Sequence, residues 1–260
     1  MPRVEPVLIF DLDGTILRKN SFPVWAGSML GLRGCGLGLR QRLALSLAVQ
    51  RLLLSRKLGH IDHDALLRHL QALWRDAIAD PGATLAANVQ RRLLRLVRPN
   101  LAPVLRLVAD DAMDGILATA AAADYAEPLG RQLGFAMIIA TPASRPAGEP
   151  CNTGVPKRDR VMALLRQRDW LERPRIFFND DLADLPLMQA CHAVCWFGND
   201  RGLDQAKAQA PAVRFLACRR LRPNEMTATT AHLGQSLATA QLARMPWVFP
   251  AARPRSSTFS

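Results

Sequence analysis

Aromatic side chains make up only 6% of this 260-residue chain, with a single tyrosine, and acidic residues number 22 against 34 basic ones. So little stacking surface among the basic residues argues against a single-stranded nucleic-acid binder. The five cysteines (Cys35, Cys151, Cys191, Cys195, Cys218) are odd in number and hold no Cys-x-x-Cys pair, so neither a disulfide framework nor a zinc knuckle is expected. They read as buried small hydrophobes, Cys191 and Cys195 around His192 included. The opening Met1-Pro2-Arg3-Val4-Glu5-Pro6 lacks the basic start, apolar core and cleavage site of a secretory signal, and the next apolar run holds two aspartates. A cytoplasmic protein is the resulting expectation. The helical stretch Leu39 to Leu54, apolar but for one narrow polar stripe, is too short and too arginine-flanked to be a transmembrane segment. There is no internal repeat.

What is present is a 49% hydrophobic chain with a net charge of +12. That length and composition can bury a large core, in one domain with an insertion or in two domains. The charge draws anions generally: phosphorylated small molecules, nucleic acid and an anionic membrane surface would all respond to it.

Val7-Leu8-Ile9-Phe10 is a short apolar run leading into Asp11-Leu12-Asp13-Gly14-Thr15. It suits an inner strand of a parallel sheet, beyond whose carboxyl edge ligands bind. An extended backbone would aim Asp11 and Asp13 the same way, two like charges in need of a cation, with Gly14 turning the chain. An Asx-type turn after an ordinary strand carries the same letters, so the motifs downstream decide between the readings.

From Leu17 to about Asn100 the pattern becomes helical. Gly31, Gly34, Gly36 and Gly38 loosen the approach to a helix over 39–54, on which Arg42, Ser46 and Gln50 form one narrow polar stripe. Residues 31–57 carry six basic and no acidic side chains, which suits either packing in a helical bundle or a membrane surface. Further helices are predicted from Asp62 to Ala79, stopped by Asp80-Pro81-Gly82, from the N-cap Thr84 to near Pro99, and from Leu101 to Asp110. Strands and helices then alternate: strands over 114–119, 135–140, 175–178, 193–197 and 213–216, helices over 124–133, ended by Gly134, and 157–171. This predicts an α/β doubly wound parallel sheet with a helical insertion. After residue 216, a helix-like stretch from Thr227 to Ala243 and a mobile Ser256-Ser257-Thr258 end are expected.

Three strand ends thus present Asp11 and Asp13, then Thr119, then Asp180, Asp181 and Asp184, with Lys157 starting a helix between them. In order and in kind this set resembles the haloacid dehalogenase (HAD) superfamily. The resemblance rests on Asp11-Leu12-Asp13-Gly14-Thr15, Thr119, Lys157 and Asn179-Asp180-Asp181-Leu182-Ala183-Asp184. The insertion after the first motif resembles the helical cap of the subgroup that includes phosphoserine phosphatases, as does Tyr125-Ala126-Glu127-Pro128-Leu129-Gly130. It implies a Rossmann-like core over 1–16 and 101–216, an α-helical cap over 17–100 and a C-terminal extension over 217–260.

The resemblance implies a Mg²⁺-dependent phosphatase for a small phosphorylated metabolite, with no obligate nucleic acid. Asp11 would be the nucleophile that becomes an aspartyl-phosphate, and Asp13 the general acid and base. Thr119 and Lys157 would bind the phosphoryl group. Asp11, the Asp13 carbonyl and Asp180 would hold the metal, with Asp184 orienting its waters. Asn179 stands where the family usually has glycine, and Ala120 where a serine is common. At the offset where a phosphoserine phosphatase reads the substrate amine with glutamate, this chain has Asn20, a candidate substrate-binding residue that argues against phosphoserine. Family dehalogenases lack the second aspartate, so Asp13 favours phosphoryl transfer over dehalogenation; a nucleic-acid or membrane-binding protein on the same scaffold would leave the catalytic set unexplained. Nothing in the sequence sets an oligomeric state.

Overall fold

The computed structural model describes residues 5–31, 36–79, 84–144 and 149–242. The expected Asp80-Pro81-Gly82 stop, Gly34, Cys35 and the Ser256-Ser257-Thr258 end lie outside these residues.

Val7–Phe10 forms β1, buried at every position. It pairs in parallel with β2 (Gly115–Ala122) on one side and β4 (Arg175–Asn179) on the other. With β3 (Met137–Thr141), β5 (Ala193–Trp196) and β6 (Arg214–Ala217) the sheet has six strands in the order β3-β2-β1-β4-β5-β6. Every pairing is parallel, and the order reverses between β1 and β4, where a doubly wound sheet opens a crevice at its carboxyl edge. Helices cover both faces, which is why β1 shows no polar alternation. Leu8 and Phe10 enter one apolar cluster, Val7 and Ile9 the other. Phe10 stacks on Phe178 with ring centroids 4.3 Å apart and meets Phe135 edge-on at 5.4 Å, which locks β1 in place beside β4.

Between β1 and β2 come α1 (Phe22–Leu30), α2 (Leu39–Lys57), α3 (His63–Ile78) and α4 (Leu85–Leu94). α1 is not among the helices expected from the sequence, although Pro23 at its start is a helix-opening signal. α3 starts one residue after the expected Asp62, which serves as its cap and accepts the Ala65 N–H at 2.6 Å, whereas Thr84 precedes α4 without a side-chain cap bond. α4 stops well short of Pro99 for a tertiary reason. Residues 96–98 pair with the chain leaving β1, through a Leu17–Val97 bridge and the bonds Arg18 N to Leu96 O (2.9 Å) and Arg98 N to Ile16 O (2.8 Å).

These helices pack on α6 (Ala123–Gln132) through a concentration of the chain's few aromatics: Trp25 lies 5.1 Å from Tyr125 and 5.9 Å from Trp74. Gln71 donates to Asp124 at 2.7 Å and Gln90 to the Tyr125 carbonyl at 3.0 Å. The same apolar cluster runs without a break from Leu8 and Phe10 to Trp25, Val49 and Trp74.

α5 (Ala102–Ala109), α7 (Gly154–Gln167), α8 (Leu185–Gln189), α9 (Asp200–Gln209) and α10 (Pro223–Leu242) complete the chain. The stretch set apart after residue 216 lies on the core: α10 packs against α5, buries Met226, Thr230 and Leu233, and is tied in by Asn100, which donates to the Leu221 carbonyl at 3.1 Å. Cys151, Cys191, Cys195 and Cys218 lie buried in the interior, outside any disulfide, and burial pushes Cys191 up to about 12.

Candidate active site

β1 ends at Phe10, one residue before the first aspartate, so Asp11 and Asp13 do not share a strand face as expected. Gly14, at a φ of 76°, carries the chain through a tight turn, closed by Leu17 N on the Leu12 carbonyl at 2.8 Å. The turn sends the two carboxylates to different partners while both line one cavity of 370 Å³ at the carboxyl edge of β1, β2 and β4. Gly14 is needed twice over: a Cβ there would stand 1.8 Å from Asp180 Oδ2.

Asp11 Oδ1 accepts from Lys157 Nζ at 2.8 Å, and the same ammonium reaches Asp184 Oδ2 at 2.5 Å. Lys157 sits in the second turn of α7, which begins at Gly154 and not at Lys157, and is almost fully buried. Burial opposes its charge, but Asp11 and Asp184 outweigh that and hold the ammonium above its ordinary value. The other Asp184 oxygen accepts the Gly154 N–H at 3.2 Å, so both are engaged.

Asp13 is gripped by Ser21, whose N–H donates to Oδ1 at 2.6 Å and whose hydroxyl donates to Oδ2 at 2.9 Å. Ser21 Oγ also lies 2.9 Å from the Tyr125 hydroxyl. Burial first, then the charge of Asp13, keep the Tyr125 phenol above its ordinary value, so it serves Ser21 as a donor. Ser21 was not singled out from the sequence; its place before Phe22-Pro23 marks a helix cap, but its side chain turns to Asp13 instead.

Thr119 lies within β2 and not at its end, in the stretch where the β2–β3 register shifts between Ala118 and Ala122. Its buried oxygen accepts the Ala121 N–H at 3.1 Å, which leaves the hydroxyl proton for a ligand. Asp180 follows β4 and accepts from Thr15 Oγ1 at 3.3 Å. Asn179, in the place of the usual glycine, is buried and donates its amide to the Asp181 carbonyl at 2.7 Å, bracing the loop that presents Asp180. Arg98, far away in sequence and without a local signal, donates to the carbonyls of Gly14 (2.7 Å) and Thr15 (2.9 Å) and packs over Phe197. Asn20 is exposed at the cavity rim between Lys19 and Ser21; its Oδ1 accepts the Phe22 N–H at 2.8 Å, so its free NH₂ can only donate.

Three carboxyls here are held above their ordinary range. Burial pushes Asp11 up to about 7, with Lys157 opposing and Asp184 and Asp180 adding. Burial raises Asp13 against its two Ser21 bonds, and burial with the Asp181 charge pushes Asp180 up to about 6. Such a set suits a bound cation. Its donors are all oxygen, as a hard ion such as Mg²⁺ prefers. Among the described residues no three His, Cys, Asp or Glu side chains converge to enclose a metal by themselves. Two carboxylates, Asp11 and Asp180, with the Asp13 carbonyl and waters match the habit of Mg²⁺ of keeping part of its hydration.

This has a measurable consequence. A carboxyl whose folded pKa lies above its unfolded value costs stability as pH rises through the interval, from 3.8 to about 7 for Asp11 and to about 6 for Asp180. Mg²⁺ should therefore raise the melting temperature more near pH 8 than near pH 5, relative to chelator. Equal shifts at the two pH values in a thermal-shift series would count against this set as the metal site.

Solved structures similar to this one share its fold. A protein of unknown function from Bordetella pertussis Tohama I superposes with a TM-score of 0.62 at 19% identity, covering 82% of this chain and 99% of its own. A probable phosphoserine phosphatase from Vibrio cholerae gives 0.58 at 13% identity, over 94% of this chain and 70% of its own. A substrate-bound phosphoserine phosphatase complex gives 0.53 at 9% identity, over 86% and 98%. No curated protein matches the chain. The description "haloacid dehalogenase-like hydrolase" matches residues 8–189, a span that opens in β1, takes in the helical insertion and Lys157, and closes just beyond Asp184 in α8. On that match, over most of its length and through the whole constellation around the cavity, the chain belongs to the haloacid dehalogenase-like hydrolase family.

Proposed function

We propose that this hydrolase is a Mg²⁺-dependent phosphatase that removes the phosphoryl group of a small phosphomonoester through an aspartyl-phosphate on Asp11. The observation that carries this reading is Lys157, buried between Asp11 and Asp184 at the floor of the cavity. A fixed cation there orients one Asp11 oxygen and leaves the other for in-line attack on phosphorus. Thr119 supplies a hydroxyl donor and Lys157 positive charge to the phosphoryl oxygens. Bound Mg²⁺ would add further positive charge beside Asp11 and Asp180.

As the phosphorus–ester oxygen bond breaks, Asp13 gives its proton to the leaving oxygen. It then takes a proton from the water that attacks the phosphoenzyme, releasing phosphate and restoring Asp11. Burial favours its protonated form and the Ser21 bonds its ionised form, so both are within reach. Residues 17–100 act as a cap that selects the substrate. Arg18, Lys19 and Asn20 line the cavity from this side, with donors and no carboxylate to receive an ammonium group. The chemistry of that rim disfavours phosphoserine.

Phosphate release across a panel of nucleotides, sugar phosphates and amino-acid phosphates with Mg²⁺ tests the proposal; no release from any of them, nor from an aryl phosphate, would overturn it. Asp13 has a sharper signature. Asp13→Asn should slow phosphoenzyme formation by roughly 10²-fold or more with an alkyl phosphate, and much less with an aryl phosphate whose acidic phenol leaves without help. Equal losses on the pair in first-turnover kinetics would remove Asp13 from the acid role.

A further inference from the structure

Of the seven large apolar side chains that stand exposed among the described residues, five belong to α2 and its C-cap: Leu39, Leu43, Leu47, Leu54 and Leu58, between 45% and 61% exposed. Their spacings of four, four, seven and four residues place them along one side of the helix. The opposite side is also apolar and already occupied. Val49 is buried, and Leu45, Leu52 and Leu53 pack against the core. Of the polar stripe read in the sequence, Ser46 is buried and donates to the Leu30 carbonyl at 3.5 Å, while Gln50 is exposed among the outward leucines. A helix apolar on both sides is one with a second surface to cover.

Charge narrows what covers it. α2 carries Arg40, Arg42, Arg51, Arg56 and Lys57 and no acidic residue. By helical spacing Arg40 and Arg51 border one edge of the leucine stripe and Lys57 the other. A second copy meeting this face about a two-fold axis would set these cations against themselves. The stripe also has no aromatic anchor of the kind that dominates protein interfaces. It runs about 28 Å along the 19 residues of α2, interrupted once by the exposed Gln50 between Leu47 and Leu54. Beside it α2 and α3 leave an apolar cavity of 380 Å³, lined by Leu37, Ala44, Leu45, Leu73 and Ala77, with Asp76 and Gln41 its polar members.

We infer that α2 docks this protein on an anionic lipid surface, its leucines entering the headgroup and acyl boundary and its arginines and Lys57 lying among the lipid phosphates. The helix lies along the surface and does not cross it; no helix among the described residues is long and apolar enough to cross a membrane. The inference is independent of the reaction catalysed in the cavity.

Sedimentation of the full chain with vesicles of phosphatidylcholine, alone or mixed with phosphatidylglycerol, tests it. Binding is expected to the mixed vesicles, weakening as salt is raised. A chain of net charge +12 will adhere to anionic vesicles to some degree by charge alone, so substitutions decide. Leu43→Ser/Leu47→Ser should weaken binding at least about tenfold while the chain stays folded with only a small loss in melting temperature, since both side chains are about half exposed. Arg40→Gln/Arg51→Gln should weaken it by about tenfold or more. Arg166→Gln/Arg168→Gln, the same charge change at the end of α7, should do little. Absence of binding to the mixed vesicles, or equal losses for the two arginine pairs with none for the leucine pair, would overturn the inference. A dimer that Leu43→Ser/Leu47→Ser converts to monomer would assign the face to a second copy instead, and a monomer that ignores vesicles would leave it to a protein partner; either outcome overturns the lipid assignment.

Discussion

Asp11→Asn should lower turnover of any phosphomonoester by at least about 10⁴-fold, with the fold intact. The amide keeps the volume of the carboxylate and can still offer an oxygen to Lys157, which also retains Asp184 as a partner. What it loses is the nucleophile. The folded state should not suffer, because burial penalises the ionised Asp11 carboxyl, pushed up to about 7. Removing a buried charge of that kind makes the metal-free protein equally or more stable near pH 8, where the wild-type carboxyl has to ionise. Two measurements separate the outcomes: phosphoenzyme trapping with an aryl phosphate, and thermal unfolding in chelator. Undiminished turnover in a folded variant would sink the nucleophile assignment.

Lys157→Met should cost both activity and stability. The ammonium is nearly fully buried and is the shared partner of two carboxylates, so its loss strands them in the interior. Breaking a buried pair from one side costs about 3–5 kcal/mol, more than the pair itself contributes, because the uncompensated charges remain. Loss of its positive charge from the phosphoryl oxygens should slow phosphoenzyme formation by roughly 10²–10³-fold. The stability loss has a direction in pH: without Lys157 the Asp11 carboxyl rises further, and a raised carboxyl loses stability as pH climbs from 3.8 through its folded value. The variant should therefore be closest to wild type in acid and furthest from it above neutral pH. Adding Asp184→Asn removes one stranded charge while keeping an acceptor for the Gly154 N–H, and should recover part of the stability and none of the turnover. Wild-type activity in Lys157→Met, or a stability loss that does not grow with pH, would overturn the role given to this residue.

Asp11, Asp13 and Asp180 were legible because each stands beside a short apolar run, and a run of that kind becomes an inner strand of a parallel sheet whose carboxyl edge is a binding edge. Lys157 was found by family resemblance, since a lysine near a helix start is by itself a surface residue. The groups that hold the site had no such markers. Ser21 looks like a helix cap and instead grips Asp13; Arg98 precedes a proline at the close of the helical insertion and instead fastens the Gly14–Thr15 turn. Hydrogen bonds between residues distant in sequence leave no local period to read.

All six strands and seven of the ten helices among the described residues, the insertion after the first motif and the residue types of the constellation were legible in the chain, because hydrophobic period, caps and turn residues act over a few positions; the short helices α1, α8 and α9 were not. Tertiary structure decided the rest. The order β3-β2-β1-β4-β5-β6 brings Asp11 and Asp180 to neighbouring strand ends although 168 residues lie between them. The pairing of residues 16–18 with 96–98 ends α4 early, against its own helical pattern. On α2, where leucines outnumber the positions a core can take, packing against α1 and α3 chose the face with Ser46 and Val49 and left Leu39, Leu43, Leu47 and Leu54 outside. A helix with two apolar faces carries no periodic signal of which one the fold will cover, and only the competition among neighbouring helices settles it.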